Sequence, residues 1–231
     1  MRALYNSTTG TYTYNVMMKR SFDGGETWST ARSIATFNYV TSIRGDGDNV
    51  NLKISNSPHI AVDNNGDLHL VYVTKTSTGD TEIMYRKITN CTSTQSCELQ
   101  PVVNLSNNSK DQWEPTIVVS KKSNTVHVTA LDRRDDSNNI YWHTYHYHCH
   151  LSTSTCTSSS HWSINRVSDY PSVNLPNFKP DDFIGHYHGI TTSYIVNSSA
   201  KEAYTTFTDT RYYGGVLYRN YNIFSDSTTN S

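Results

Sequence analysis

The sequence predicts an all-β fold, and three observations carry that prediction. Short runs of β-branched and aromatic residues alternate with Gly, Asn, Asp and Ser punctuation. No segment carries a convincing helical period. The runs also recur in a fixed order, as strand A, tight turn, strand B, polar loop and aromatic strand C. Antiparallel four-stranded units in series are the building block of a β-propeller, whose blades stack because one alone cannot bury both faces.

Taken in order, residues 1–40 hold a partial unit, with a strand C over 13–21 and a strand D near 31–37. Residues 58–106 and 115–168 hold two full units, with fourth strands near 101–105 and 162–168. Residues 187–224 hold a looser unit without a fourth strand. Closed propellers take roughly 4–8 blades. The expectation is therefore an incomplete ring, finished by further blades of a longer chain or by another copy. A β-sandwich would not explain the ordered repetition.

Composition narrows the class. Hydrophobic residues make up 35% and charged residues 17% of the 231 residues, and the polar mass is Ser, Thr and Asn, with 17 Tyr. The formal net charge of −1 supports no nucleic-acid partner. No apolar run reaches the length of a membrane span. The four cysteines fall in two close pairs, Cys91/Cys97 and Cys149/Cys156, with neither zinc-knuckle nor C-x-x-C spacing. Two local disulfides are expected. Sequons stand at Asn6, Asn90, Asn104, Asn107 and Asn197. Disulfides, sequons and scarce Lys and Glu place the chain outside the cell or on its surface. The first residues lack a signal-peptide apolar region, so Met1 is not expected to begin the mature domain.

Residues 21–28, Ser-Phe-Asp-Gly-Gly-Glu-Thr-Trp, form the most specific motif. Gly24 and Gly25 permit positive φ, Asp23 accepts turn N–H groups, Ser21 and Thr27 add hydroxyls, and Trp28 is expected to pack under the hairpin. With Ser21, Asp23, Gly25, Thr27 and Trp28 all in place, the segment matches S-x-D-x-G-x-T-W. It resembles the Asp-box (BNR) repeat of sialidase-like β-propellers, and phrases over 58–72 and 132–141 look like blades of the same superfamily. The resemblance covers most of the chain, with one intact box. The corresponding turns of the next two units hold the cysteine loops, expected to replace the box as hairpin clamps. The resemblance implies that the box lies opposite the active face and holds a turn.

The face with the loops into strand A and between strands B and C is then the functional one. It carries Asp132–Asp136, Trp113, Glu114, Asp209, Arg211, Tyr212 and Tyr213. Acids, arginines and aromatics suit a carbohydrate or another polar surface ligand. What the resemblance implies for a sialidase is three arginines on the substrate carboxylate, a Tyr nucleophile with a Glu, and an Asp acid/base. Arg133, Arg134 and Arg211 are the arginine candidates, and Asp135 and Asp209 the acid candidates. The early Arg-Ile-Pro segment is absent, and so is a Tyr/Glu pairing. The Asp-x-Arg repeat at 132–134 and 209–211 instead suggests pairs that tie loops.

Two cation sites are weighed. On a strand, His146, His148 and His150 share one face with Trp142, and imidazoles at that spacing suit Zn²⁺ or copper. The loop with Asp46 and Asp48 is the Ca²⁺ candidate, whereas 63–67 reads as a hairpin turn. The leading functional expectation is a non-catalytic recognition, adhesive or self-assembling surface module, whose unpaired edges a neighbouring copy covers by strand addition. An exo-sialidase and a secreted metal-binding protein are the alternatives.

Overall fold

The computed structural model describes residues 2–6, 11–45, 51–91, 97–173, 188–192, 202–209 and 222–229. Its strands form four meanders in chain order. Sheet I holds β1 (Arg2–Asn6), β2 (Thr11–Met18) and β3 (Arg32–Asn38). A short hairpin of β4 (Ser42–Ile43) and β5 (Leu52–Lys53) follows. Sheet II holds β6 (His59–Val62), β7 (Leu68–Lys75), β8 (Thr81–Thr89) and β9 (Glu98–Asn104). Sheet III holds β10 (Gln112–Ser120), β11 (Thr125–Asp132), β12 (His143–His150) and β13 (Ser163–Arg166). Sheet IV holds β14 (Gly189–Thr192), β15 (Glu202–Asp209) and β16 (Asn222–Thr229). Every pairing within these sheets is antiparallel, and no sheet closes on itself among the described residues. The one helical element described is a 3₁₀ turn, Ser159–His161, so no described helix is long and apolar enough to cross a membrane.

Period-two alternation explains the stacking, because successive side chains serve opposite faces. In β7, Val71 and Val73 face sheet III, and Leu70 and Tyr72 face sheet I. Val126, Val128 and Ala130 of β11 meet Val71, Val73, Ile83 and Tyr85 in the largest core cluster. Ile34, Ala35 and Phe37 of β3 meet Leu70, Tyr72 and Ile88 in the second. On the other face of β11, Thr129 receives a hydrogen bond from Thr205 of β15 at 3.4 Å. The sheets therefore lie face to face in sequence order, I on II on III on IV. Polar ties reinforce the contacts: Arg86 donates to the Ile34 carbonyl at 2.8 Å, and Asn64 to that of Lys121 at 2.8 Å.

Two corrections concern sheet I. Its first strand, β1, was not anticipated within the opening segment. Trp28 does not pack under the hairpin: it is 59% exposed, and its indole N–H caps the Gly25 carbonyl at 3.1 Å. The turn closes through local hydrogen bonds instead. Asp23 accepts from the Thr27 hydroxyl, the Thr27 N–H and the Ser21 hydroxyl, and Ser21 Oγ accepts from Gly25 N–H. The Thr27 hydroxyl leads these donors in holding the Asp23 carboxyl below the usual carboxylate range. Gly24 (φ 75°) and Gly25 (φ 103°) adopt the backbone a side chain would strain.

Both disulfides, Cys91–Cys97 and Cys149–Cys156, are formed. Each lies between the third and fourth strands of its sheet, as residues 21–29 lie between β2 and β3. Arg20 donates to the Cys91 carbonyl and Arg32 to that of Cys97, so the first two of these turns are joined side by side. In sheet IV, β16 runs to Thr229, past the expected unit end at 224. Asp63–Asp67 is a hairpin turn, with Asp63 Oδ1 accepting the N–H groups of Asn65 and Asp67.

Ile83 is fully buried between sheets II and III, whereas Ile164 on β13 is partly exposed. Ile83→Ala should cost about 2–5 kcal/mol in chemical denaturation. Ile164→Ala should stay within about 0.5 kcal/mol.

Candidate functional site

The acidic and basic run after β11 is consumed by internal contacts. Arg133 is fully buried, its guanidinium 5.2 Å from the Trp113 ring and 5.8 Å from the Trp142 ring. Its Nη1 reaches Asp111 Oδ2 at 3.4 Å. Asp111 also accepts from Thr81 N–H, Thr81 Oγ1 and Asn139 Nδ2. Burial pushes its carboxyl upward against the pull of Arg133 and these donors. Arg134 donates through Nε and Nη2 to Asp132 Oδ2 and through Nη2 to the Tyr147 hydroxyl, lying over the rings of Tyr145 and Tyr147. Asp135 accepts from the Tyr145 hydroxyl at 2.7 Å and faces Arg166 at 3.4 Å. Asp136 accepts the N–H groups of Asn138, Ile140 and Tyr141.

Arg133 and Arg134, the arginines considered for a substrate carboxylate, are both engaged within the protein. One is sealed between two indoles, and the other is held by Asp132 and Tyr147. Trp113 likewise belongs to a core cluster with Val40, Ile43, Leu52, Ile54, Leu131 and Trp142, not to a ligand face. The β4–β5 hairpin covers it so closely that a Cβ on Gly45 would meet the Asn139 carbonyl oxygen at 2.6 Å. Arg211, Tyr212, Tyr213, Asp46, Asp48 and Asn197 lie outside the described residues, as do the side chains of Asp209 and Asn6. Asn90 and Asn107 are exposed, and Asn104 is half-buried with Oδ1 accepting from Asn107 N–H.

His146, His148 and His150 of β12 line the face turned toward sheet IV. His146 and His148 lie 5.2 Å apart at 19°, and His148 and His150 5.4 Å apart at 75°. His127 of β11 joins them, its Nδ1 3.0 Å from His146 Nε2. Trp142 is not part of this column: it is in the core with Trp113, and its ring lies 5.6 Å from that indole. His146, His148 and His150, the imidazoles weighed as cation ligands, thus lie in one column. Among the described residues, no group of three His, Cys, Asp or Glu could hold an ion. Stacked rings aim their nitrogens alongside one another, and His150 Nδ1 is taken by Thr125 Oγ1 at 2.9 Å.

Sheet II repeats the His127–His146 contact with different chemistry. His69 Nδ1 meets the Tyr85 hydroxyl at 2.7 Å, and its Nε2 meets Asp63 Oδ2 at 3.2 Å. Cross-strand partners are His69 with Lys87 and His127 with His148. In both sheets the bonded side chain therefore sits two residues before the direct partner, on the face toward the next sheet.

One cleft remains on the end expected to be functional. It is a narrow recess where the first strands of three sheets begin, lined by Ser55, Ser57, His59, Glu114, Pro115, Thr116 and His188. Glu114 occupies a bulge in β10 and takes φ 52°, a strained backbone for a side-chain-bearing residue. The Glu114 and His188 side chains are each 2% exposed, with Oε2 and Nε2 3.5 Å apart. Burial drives Glu114 up to about 8 and His188 down to about 4. At neutral pH the two are thus an uncharged acid beside a neutral imidazole, and the 3.5 Å separation is long for an ion pair. His59 Nδ1 lies 3.3 Å from Thr116 Oγ1. Glu114 is among the residues of the expected functional face; nothing in the sequence marks His59 as its neighbour. Nothing in the residue pattern signals that three separate strand starts meet.

No family model matches the chain, and no curated protein matches it.

Burial lowers His127 to about 4 and His146 to about 3, below the ordinary 6.5. The unfolded chain then takes up protons first. This contribution to stability is full above about pH 6.5 and falls as the pH drops toward the folded values. At pH 5 each imidazole should cost about 2 kcal/mol. Urea midpoints at pH 7.5 and 5.0 measure it, and the His127→Gln/His146→Gln variant should show a smaller drop.

Proposed function

We propose that the chain is part of a sialidase-like β-propeller that works outside the cell as a non-catalytic recognition and assembly module. The observation that carries this reading is an uncovered apolar strip on the first strand of sheet II. Ile60 and Val62 of β6 are 50% and 45% exposed, while Ala61 between them packs toward sheet III. Sheet I covers Leu70, Tyr72 and Ile88 of the neighbouring strands β7 and β8. A further strand inside sheet I would extend that cover over Ile60 and Val62. Such a strand comes from another part of a longer chain or from a second copy adding at the edge.

Three more features support the reading. The four meanders stack in chain order, as blades do. Residues 21–28 carry the Asp-box residue pattern and form a turn closed by Ser21 and Asp23. Two disulfides suit an oxidising compartment. The exo-sialidase alternative loses two of its three candidate arginines to internal contacts.

Light scattering of the purified 26.2 kDa chain tests the proposal. Assembly beyond 26.2 kDa that Ile60→Asp/Val62→Asp abolishes, with no turnover of a fluorogenic sialoside, is the expected result. A stable monomer, or release of the fluorophore at enzymatic rates, would overturn it.

A further inference from the structure

We propose that Tyr12 and Tyr39 form a stacking platform for a pyranose ring, which binds through an open C–H face. This names the ligand class for the recognition part of the reading above and rests on it. The platform stands on sheet I, at the end where β2 begins and β3 finishes, and Tyr39 itself lies in the segment leading to β6, the first strand of sheet II.

The register places the rings. Tyr14 of β2 pairs with Phe37 of β3, so Tyr12 and Tyr39 stand two residues further along the same face. Phe37 is buried, 6.3 Å from Tyr72 of β7. Tyr14 lies 5.8 Å from Phe37, 4.8 Å from Tyr39 and 6.4 Å from Tyr12. The row of rings thus runs from the core outward. On β7, the residue after Tyr72 on that face is Thr74, whose hydroxyl accepts the Asn38 N–H at 3.0 Å. Beyond it Tyr12 and Tyr39 are 55% and 42% exposed. A solvated strand end needs only polar residues. Two aromatic rings in water carry a hydrophobic cost that the apolar face of a ligand removes.

The backbone on both sides of Tyr39 is fixed. Asn38 Nδ2 donates to the Lys75 carbonyl at 3.0 Å. Val40 exchanges two hydrogen bonds with the buried side chain of Asn56, its N–H donating to Oδ1 at 3.1 Å and its carbonyl accepting from Nδ2. A tyrosine on such a backbone has only two χ angles to order, so binding costs little entropy. Size selects the occupant. The exposed parts of Tyr12 and Tyr39 together amount to roughly 200 Å², the surface of one tyrosine. A standard protein interface takes about 800 Å² from each partner, so the patch matches one face of a sugar ring rather than a second protein. Chemistry agrees: a tyrosine has an apolar body and a polar tip, as a pyranose has a C–H face and a hydroxyl rim. The β7–β8 turn that follows Lys75 adds the hydroxyls of Thr76 and Thr78, the latter exposed.

Saturation-transfer NMR on the wild-type protein tests the platform. Methyl β-D-glucopyranoside and methyl β-D-galactopyranoside are titrated to about 100 mM, which covers affinities far weaker than millimolar. Sorbitol is the control, a polyol with hydroxyls but no rigid C–H face. Irradiating the aromatic protons of the protein should saturate the axial C–H protons of at least one glycoside, with a saturable dose response, and should leave sorbitol untouched. Tyr12→Leu and Tyr39→Leu, which keep an apolar side chain, should each weaken binding about threefold, and together about tenfold, whereas Tyr12→Phe and Tyr39→Phe should stay within about twofold. Urea midpoints of these surface variants should match the wild type. No saturable transfer to either glycoside, equal transfer to sorbitol, or wild-type binding by the Tyr12→Leu/Tyr39→Leu variant overturns the proposal. So does a fall in the assembled mass of that variant, since the rings would then serve a protein contact. A monomer that binds a glycoside rejects the assembly reading alone, and an assembly with no transfer to either glycoside rejects the platform alone.

Discussion

Two-sided burial of the middle strands is the constraint on which the other features depend. β7 and β11 place apolar side chains on both faces, so neither sheet II nor sheet III is stable with one face in water. Each needs a sheet on either side. That need aligns the four meanders, brings equivalent turns next to one another, and sets the first strands β6, β10 and β14 in a row. The cleft with Glu114 and His188 exists because of that row.

Polar burial follows from the same geometry. Side chains between stacked sheets lose water whatever their type, so those that are polar must find partners there. Sheet II solves this with Asp63, His69 and Tyr85, and sheet III with His127 and His146 at the same diagonal. At the end of sheet III, Asp111 gathers Thr81 from β8 and Arg133 and Asn139 from the loop between β11 and β12. These networks hold the stack in register, and they leave Arg133 and Arg134 no freedom to serve a ligand. The Glu114–His188 pair joins β10 to the start of β14, its Oε2 and Nε2 3.5 Å apart.

Legibility tracked the range of the interactions. The strand units at 58–106 and 115–168 can be read directly, because period-two alternation is local and each hairpin turn announces itself. The 63–67 turn is equally plain, as Asp63 bonds to residues two and four ahead. The histidine spacing in β12 correctly suggested a shared face. It said nothing of His127 across the strand pair, which turns a row of separate ligands into a hydrogen-bonded column. Trp28 shows the reverse: a local motif fixed its bond to Gly25, but only its neighbours decide whether its ring is covered.

The sequence by itself determined that the chain is all-β, that its strands run in ordered antiparallel units, and that its cysteines clamp two local loops. Those properties rest on alternation, turn residues and close pairing, each settled within a few positions. Only the tertiary structure decided that Arg133 lies between Trp113 and Trp142, that the imidazoles stack, and that Glu114 meets His188 with His59 nearby. These outcomes require the burial of side chains from distant segments against one another. Burial, more than residue type, sets their charge and therefore what they can bind.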